Sequence, residues 1–349
     1  MVALTAREAK CLHAAMLREL IDRSLAEAVA EGRPEGPAWL HAPRDRDDLG
    51  CARFARLVVV APLFYPVTPS GEAFPADCRA YGPSKHDWLR LPEALAMIDA
   101  CAAGAPGVSH ALVLGGSENH FHWLADFLPR LALLRSVPAL AEREALVHAA
   151  VTDDQRSAVE FVSRVLGIRP PTLRPVSGGM VLVEDAAMPT RVSRPGMVRF
   201  WSSLLEQAEV PRSRTRRLFV RRGDARYRRL EDEAAVAERL AAYGFEAIDP
   251  SQLSFEAQLR TFASAETIVG VHGAGLANLL FAPAGTRLIE LRVPEHTGEY
   301  AKLARIAGLR YHPLAITAIL DSSPKRLNRH VRVDADAMAR LEALLSPRD

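Results

Sequence analysis

The second half of the chain alternates short apolar runs with polar segments of helical length. The apolar runs lie at 217–221 (RLFVR), 245–249 (FEAID), 267–271 (TIVGV), 287–291 (RLIEL) and 309–314. The segments between them, at 231–243, 254–264, 273–281 and 299–307, have helical length and spacing. Buried strands that alternate with helices are typical of a parallel sheet covered on both faces. The pattern predicts an α/β fold.

The first half shows a similar alternation with longer loops. Strands are expected at 57–61, 110–114, 146–151 and 180–185, and helices at 92–103, 119–136, 153–166 and 196–209. A chain of 349 residues is long enough for two domains, and the pattern breaks near 205–215. The sequence thus predicts two αβα domains that face each other across a cleft. A last helix is expected at 334–345.

Composition limits the functional classes. A net charge of +2 argues against a general electrostatic binder of nucleic acid. Four cysteines at 11, 51, 78 and 101 lack CxxC spacing and are interpreted as reduced thiols, as in the cytoplasm. Charged residues interrupt 4–29, so we expect an amphipathic helix there rather than a signal peptide, docked on the protein or on a membrane surface. No run of 18 apolar residues exists, so no transmembrane segment is expected.

The segment IVGVHGAGLANLLF at 268–281 carries the strongest candidate for a ligand site. A buried strand ends at His272-Gly273-Ala274-Gly275, and a helix is expected to begin at once. Loops at the carboxyl ends of parallel strands line the ligand crevice, and the N–H groups of a first helical turn attract anions. The segment lacks the Lys of a Walker motif and the third Gly of a dinucleotide fingerprint. A diphosphate suits this turn; the alternative is a turn that only packs the helix on its strand.

Nine arginines lie between 212 and 229, in the segment RSRTRRLFVRRGDARYRR. A solvated basic linker is one interpretation. The other is a phosphate site, because Arg221-Arg222-Gly223 follow the first strand of the second half and the planar guanidinium matches phosphate oxygens.

The segment SENHFHWLADFLPRL at 117–131 carries the candidate base. His122 and Asp126 are four residues apart and share a helix face, and Glu118 lies one turn earlier if the helix extends that far. Such a stripe suits general-base catalysis, and helix capping with surface polarity is the alternative. His120 and His122 point to different sides of a helix, so we expect no zinc site.

Glu290 interrupts the buried strand RLIEL. A carboxylate is costly there unless it is paired. Ribose hydroxyls and a neighbouring arginine are equally good partners.

Taken in order, these motifs resemble those of glycosyltransferase family 61. The similar elements are Phe219-Val-Arg-Arg222, Gly244-Phe245-Glu246, Ser254-Phe255-Glu256-Ala257-Gln258, His272 through Phe281, Ile289-Glu290-Leu291 and the block at 119–130. Asp232 departs from the Asn that the family usually has before Glu233. The resemblance covers about 110 to 292, and the first 105 residues match nothing that we can name.

The resemblance implies a GT-B-like fold of two Rossmann-like domains and an inverting, metal-independent glycosyltransferase. The expected division is 1–50 for the N-terminal helix and loop, 51–208 for the acceptor-side domain, 209–322 for the nucleotide-sugar domain and 323–349 for the C-terminal helix. No cofactor is expected, and the DxD sequences at 45–47 and 334–336 are then incidental, with Asp in loop and capping positions. A polysaccharide pyruvyltransferase-like enzyme and a noncatalytic nucleotide-sugar-binding protein are the alternatives.

The expected roles follow from the resemblance. Asp126, assisted by His122, would take the proton of the acceptor hydroxyl, with Glu118 as the fallback base. The donor nucleotide-sugar would contact Asn119, Arg222, Arg229, Glu233, Gln258, His272, Gly273, Ala274, Gly275, Asn278 and Glu290. The acceptor would be a glycan or a lipid-linked glycan of a bacterial surface polysaccharide, reached in the cytoplasm or at the inner membrane. The oligomeric state is left open.

Overall fold

The computed structural model describes residues 38–41, 49–61, 64–67, 107–176, 179–223, 225, 227–319 and 329–346. The helices predicted at 4–29 and 92–103 lie outside these residues, as do Cys11, Cys78 and Cys101. Cys51 is buried and carries a free thiol. Among the described helices, none has both the length and the apolar character that a membrane crossing requires.

The chain divides into two compact units. The first unit contains the described residues up to Glu118 and then His122–Gly196. The second unit contains Asn119–Phe121 and the described residues from Met197 onward.

The first unit is built on a mixed sheet. Its strands are β1 (Ala38–His41), β2 (Cys51–Ala61), β3 (Tyr65–Val67), β4 (Ala111–Leu112), β5 (Glu144–His148), β6 (Leu173–Val176) and β7 (Gly179–Pro189). The order is β1-β2-β7-β4-β5-β6, with β3 beside β2. Strands β7, β4, β5 and β6 run parallel, whereas β2 is antiparallel to β1, β3 and β7. The α/β class is confirmed, and the sheet of this half is mixed because two 11-residue strands pair directly and antiparallel.

Helical structure in the first unit follows local signals. The helix Asp153–Leu166 begins after a capping box from Thr152 to Gln155 and ends at Gly167, whose φ of 66° suits glycine. The segment predicted as one helix at 119–136 is helical from His120, but changes its winding. It contains short α-helices at His120–His122 and Leu133–Ser136, a π-helix at Trp123–Phe127 and a 3₁₀-helix at Leu128–Ala132.

The second unit is built on a sheet of five parallel strands, as predicted. They are β8 (Arg216–Val220), β9 (Phe245–Ile248), β10 (Ala265–Val271), β11 (Arg287–Arg292) and β12 (Arg310–Ala315). Its helices are Glu233–Ala241, Phe255–Ala263, Glu299–Ile306 and Ala335–Leu345, together with the part of Arg194–Gln207 that begins at Met197. A short antiparallel pair, β13 (Thr317–Ala318) and β14 (Val331–Arg332), completes it.

The strand order β12-β11-β10-β8-β9 is that of a doubly wound sheet. The chain moves outward from β8 in one direction to β9 and in the other through β10 to β12, so the connections diverge between β8 and β10. In such sheets the ligand binds beyond the carboxyl ends of the two diverging strands. The residues that follow β8 and β10 are therefore the expected location of a ligand site.

Apolar burial fixes this sheet. Five apolar side chains of its strands are fully buried: Leu218, Ile268, Val269, Leu288 and Ile289. Each such side chain contributes about 1.5–3 kcal/mol when it leaves water.

The segment 273–281 was predicted as an ordinary helix but forms a 3₁₀-helix, Ala274–Phe281. At the end of the chain, Asp334 accepts the N–H of Ala337 and caps the last helix, which confirms the capping explanation of that DxD sequence.

Candidate active site

The loops after β8 and β10 meet at Gly273. A Cβ atom on Gly273 would lie 1.8 Å from Nη1 of Arg222, so the absence of a side chain lets the Arg222 guanidinium rest on the glycine. The φ of Gly273 is 177°, an extended value open to any residue, so the reason for glycine is the close approach. Arg222 and the His272–Gly275 corner, both predicted as donor contacts, are thus brought together.

Arg222 is held in place largely by main-chain groups. Its Nη2 donates to the carbonyl of Tyr227 at 2.6 Å and its Nε to the carbonyl of Arg228 at 3.3 Å. Glu233 accepts the main-chain N–H of Arg222 at 2.6 Å and the Nε of Arg221 at 3.2 Å. Burial and the neighbouring charge of Arg228 lower the pKa of Arg222 to about 10. The Arg222 guanidinium is therefore fixed at this edge of the sheet, close to a second positive charge.

Arg228 is the second cation of this cluster, and the sequence reasoning missed it. Its φ of 57° lies in the left-handed region, which is uncommon for arginine. Burial lowers the pKa of Arg228, and the Tyr300 hydroxyl partly offsets that effect. Arg229, the residue predicted, is exposed and donates from Nε to the carbonyl of Ala225 at 2.8 Å. The sequence alone does not tell which of these two adjacent arginines is the more buried, because that depends on the positive φ of one residue.

His272 belongs to a buried chain of hydrogen bonds. Its Nδ1 pairs with Oε1 of Glu290, and Tyr311 donates its hydroxyl to Oε2 of the same carboxylate. Glu290 is fully buried, so both carboxylate oxygens are satisfied within the protein. The two partners expected from sequence were ribose hydroxyls and an arginine; the hydrogen bonds of the carboxylate go to a histidine and a tyrosine.

Two aromatic side chains fix the ring of His272. The ring of His296 stacks on it with centroids 4.5 Å apart, and Tyr300 meets it edge-on at 5.2 Å. The Tyr300 hydroxyl donates to the carbonyl of Gly273 at 2.6 Å, which ties the glycine corner to the helix Glu299–Ile306. Burial, and the charge of Glu290, raise the pKa of Tyr300. His296 and Tyr300 were not identified from sequence, since neither lies in a motif.

The predicted contacts Gln258 and Asn278 form a buried amide pair. Asn278 donates from Nδ2 to Oε1 of Gln258 at 3.0 Å, and its Oδ1 lies 3.0 Å from Nε2 of His120. Gln258 in turn donates to the carbonyl of Leu253. These side chains are 0% and 3% exposed, so the observed contacts position the 3₁₀-helix Ala274–Phe281. Asn119 is exposed, and its side chain accepts the N–H of Phe121 at 3.0 Å.

Asp232 precedes Glu233 at the position where the resemblance to glycosyltransferase family 61 leads us to expect Asn. Its φ of 54° is left-handed, and Asp and Asn are the residues other than glycine that tolerate this region best. The main-chain conformation accounts for the residue type without a donor contact.

In the first unit, Asp126 lies between two basic side chains. Its Oδ2 is 2.7 Å from Nδ1 of His122, and its Oδ1 accepts from Nη1 of Arg194 at 2.7 Å. Burial alone would raise the pKa of Asp126, but the hydrogen bond from His122 and the charge of Arg194 outweigh it, and the pKa is lowered. The side chain of His122 is 18% exposed, against 4% for that of Asp126. Only the histidine of this pair presents appreciable surface.

Asp126 of this pair lies in the π-helix Trp123–Phe127. The N–H of Leu128 donates to the carbonyl of Trp123, five residues earlier, which inserts an extra residue into the turn that carries Asp126. Such insertions are frequent at functional sites.

Glu118, the predicted fallback base, is exposed and lies before the helical segment begins at His120, so the helix does not extend to it.

Comparisons with known proteins agree with these motifs. The glycosyltransferase 61 family model matches residues 120–289. An EGF domain-specific O-linked N-acetylglucosamine transferase from Drosophila melanogaster is 24% identical over 261 residues, which cover 67% of this chain and 50% of that protein. The protein of the same name from Gallus gallus is 40% identical over 60 residues, 17% of this chain and 11% of that protein. The chain thus spans at most about half the length of the curated relatives that it matches.

Proposed function

We propose that this chain, which carries a glycosyltransferase 61 domain at residues 120–289, is a metal-independent glycosyltransferase that uses a nucleotide-sugar. The observation that carries the proposal is the Arg222 guanidinium packed on Gly273 beside Arg228 at the ligand edge of a doubly wound sheet. A GT-B-like pairing of the two units and inversion at the anomeric carbon are parts of this proposal.

The donor half of the reaction needs stabilisation of a departing diphosphate. When the bond from the anomeric carbon to the phosphate oxygen breaks, its electron pair stays on that oxygen and negative charge grows there. Arg222 and Arg228 supply fixed positive charge, and the N–H groups at the start of Ala274–Phe281 add oriented dipoles. The charges of the two arginines oppose each other, as the lowered pKa of Arg222 indicates, and an anion between them would relieve that repulsion. This arrangement supports catalysis without a metal.

The acceptor half needs a group that takes the hydroxyl proton. We assign this role to His122 and a positioning role to Asp126, the reverse of the assignment made from sequence. Asp126 is a poor base because both of its oxygens are engaged and its pKa is lowered, whereas it orients the ring of His122 through Nδ1. The pair then resembles the His–carboxylate dyads in which the carboxylate fixes the tautomer and the imidazole accepts the proton.

The identities of the donor and of the acceptor complete the proposal. The relatives are named for transfer of N-acetylglucosamine to EGF domains, so UDP-N-acetylglucosamine is the first donor to test. For the acceptor we retain a hydroxyl of a glycan or lipid-linked glycan, in the synthesis of a bacterial surface polysaccharide. A cytoplasmic location, with contact to the inner membrane, would follow from that acceptor.

A ligand screen by thermal shift and calorimetry tests the proposal. UDP-N-acetylglucosamine, GDP-, CMP- and ADP-sugars, and phosphoenolpyruvate are compared in the presence of EDTA. A ligand at 100 times its Kd stabilises the protein by about 2.7 kcal/mol, which a melting curve resolves. We expect one nucleotide-sugar to stabilise the wild type and not Arg222→Gln. Arg216→Gln is the matched control, because Arg216 begins the same strand β8 and pairs with Glu246 at its other end.

Turnover completes the test. Release of nucleoside diphosphate with EDTA present, and a product of inverted anomeric configuration by NMR, would support the mechanism. Stabilisation by phosphoenolpyruvate alone would replace the proposal by pyruvyl transfer. Binding without turnover for every acceptor hydroxyl offered would favour a noncatalytic binding protein, and complete loss of binding in EDTA would contradict metal independence.

A further inference from the structure

We propose that His272 takes up a proton when the donor binds and, as an imidazolium held by Glu290, donates a hydrogen bond from Nε2 to the diphosphate. The inference rests on the proposed function and deepens it. It gives the glycine corner a third positive charge, which forms only in the complex.

The hydrogen-bond chain determines which nitrogen is available. Oε1 of Glu290 pairs with Nδ1 of His272, and Oε2 accepts from the Tyr311 hydroxyl, so Nδ1 is the ring nitrogen that is already engaged within the protein. Within the part of the chain that the structure describes, Nε2 of His272 has no hydrogen-bond partner and is not enclosed. Nε2 is thus the ring atom that can meet a ligand.

The surrounding charges make protonation conditional. On one side of the ring lies the Glu290 carboxylate, fully buried and able to stabilise an imidazolium. On the other side the positive charges of Arg222 and Arg228 act on the same corner, through Gly273 and Tyr300, and oppose a further cation. The rings of His296, itself a titratable group, and of Tyr300 pack against it with centroids at 4.5 Å and 5.2 Å. A bound diphosphate reverses the balance, because its negative charge offsets the two arginines.

The orientation of the His272 ring is fixed by its neighbours. Its stacking on His296 and its edge contact with Tyr300 fix its plane, and Glu290 fixes the tautomer. The proton stays on His272 during transfer. The anomeric carbon exchanges its bond to the phosphate oxygen for one to the acceptor oxygen, and the acceptor proton passes to His122. His272 therefore stabilises the leaving group by charge and needs no regeneration.

Calorimetry with UDP-N-acetylglucosamine tests the inference, because the diphosphate of this molecule has no group that titrates near neutral pH. We expect net uptake of about one proton per bound donor above neutral pH, seen as a binding enthalpy that changes with the ionisation enthalpy of the buffer. The association constant should then fall about tenfold per pH unit in that range.

Variants identify the residue responsible. His272→Gln should abolish proton uptake and leave binding independent of pH, whereas Glu290→Gln should move the uptake to lower pH. Tyr311→Phe, which keeps the carboxylate, should change affinity by about threefold or less. His110→Gln is the control histidine, since His110 lies in the first unit and pairs with Asp185; it should keep the wild-type uptake.

Wild-type binding with no proton uptake at any pH would overturn the inference and leave the proposed function standing. Uptake that persists in His272→Gln would also overturn it. Absence of UDP-N-acetylglucosamine binding at every pH would count against both the proposed donor and the inference. Should Glu290→Gln fail to fold, the wild type and His272→Gln still decide the question.

Discussion

The ionic groups of the two units differ in the kind of partner that holds them. In the first unit, Asp126 has one basic partner on each carboxylate oxygen, and Asp185 is bound by Arg53, Arg143 and His110. In the second unit, the Arg222 guanidinium is held by two carbonyl oxygens and lies near another cation, Arg228. The first arrangement pairs carboxylates with basic side chains, whereas we propose that the second gains stability from a bound anion.

This difference suggests which charged groups hold the fold and which ones bind a ligand under the proposed function. A carboxylate with satisfied oxygens and a lowered pKa holds its neighbours in place, and it changes little when a substrate arrives. An arginine whose pKa is lowered by burial and a like charge stores unfavourable electrostatic free energy that a bound anion releases. We therefore expect changes in the first unit to affect the proton transfer or the fold, and changes at Gly273 to affect donor affinity.

The largest effect is expected for His122→Ala. Loss of a positioned base should lower kcat by about 10²–10⁴-fold, with little change in the KM of the donor, because the proposed donor contacts lie in the second unit. His110→Ala, an exposed histidine of the same unit, should keep wild-type turnover. Steady-state kinetics of nucleoside diphosphate release checks both variants. Wild-type kcat in His122→Ala would transfer the role to Asp126 or Glu118.

The next effect is expected for Gly273→Ala. The new Cβ would overlap Nη1 of Arg222, and the flexible guanidinium must move away from the corner. Donor affinity should fall by about 10- to 100-fold, while the melting temperature changes little because a side-chain end yields rather than the main chain.

Gly275→Ala provides the matched comparison. A Cβ there would make ordinary contacts, 3.4 Å to Val220 and 3.7 Å to Pro250, so donor affinity should stay within about threefold. Equal losses in the two variants by calorimetry would show that the whole turn, rather than Arg222, sets affinity.

A moderate effect is expected for the first unit's other carboxylate, Asp185. Burial alone would raise its pKa, but hydrogen bonds from Arg53 and Arg143 prevail and lower the pKa to about 2. A lowered folded-state pKa means that the stabilisation is present above about pH 4 and is lost as the pH falls toward 2. Because Arg53 is 52% exposed, solvent screening limits the contribution to about 1 kcal/mol or less.

Urea denaturation of the wild type and Asp185→Asn measures this contribution. The free energies of unfolding should differ most at pH 5–7 and converge as the pH falls below about 3. Donor affinity should be the same in both proteins at pH 7. A difference in affinity would mean that the charges of the first unit do more than hold its fold.

The sheet of the second unit was predictable because its signal is strong and local. Strands β8 to β12 begin and end within two residues of the predicted positions, since each is an apolar run bounded by turn residues. The mixed sheet of the first unit was not, because β2 and β7 pair across more than a hundred residues and nothing local encodes the direction of such a pair. The π-helix at Trp123–Phe127 was equally hidden, as its pattern is that of any helix.

The site was predictable in part for the same reason. Strand ends and glycines locate Arg222 and His272–Gly275 at one edge, and the structure brings Arg222 onto Gly273. The inward turn of Arg228 depends on one left-handed residue, and the bonds of Glu290 to His272 and Tyr311 depend on how three parallel strands are aligned. Neither main-chain detail is readable from residue types.

The smallest effect is expected for Glu233→Gln, which tests how much the position of Arg222 in the second unit depends on this carboxylate. Glu233, a predicted donor contact, accepts the main-chain N–H of Arg222 and the Nε of Arg221, so it helps to position the segment that carries the Arg222 guanidinium. A glutamine keeps one acceptor and loses the charge, so donor affinity should fall by about three- to fivefold. Glu238→Gln, exposed on the same helix, should match the wild type. Tighter donor binding in Glu233→Gln, measured by calorimetry, would instead mean that this carboxylate repels the donor, and the cationic corner would then be partly neutralised like the charges of the first unit.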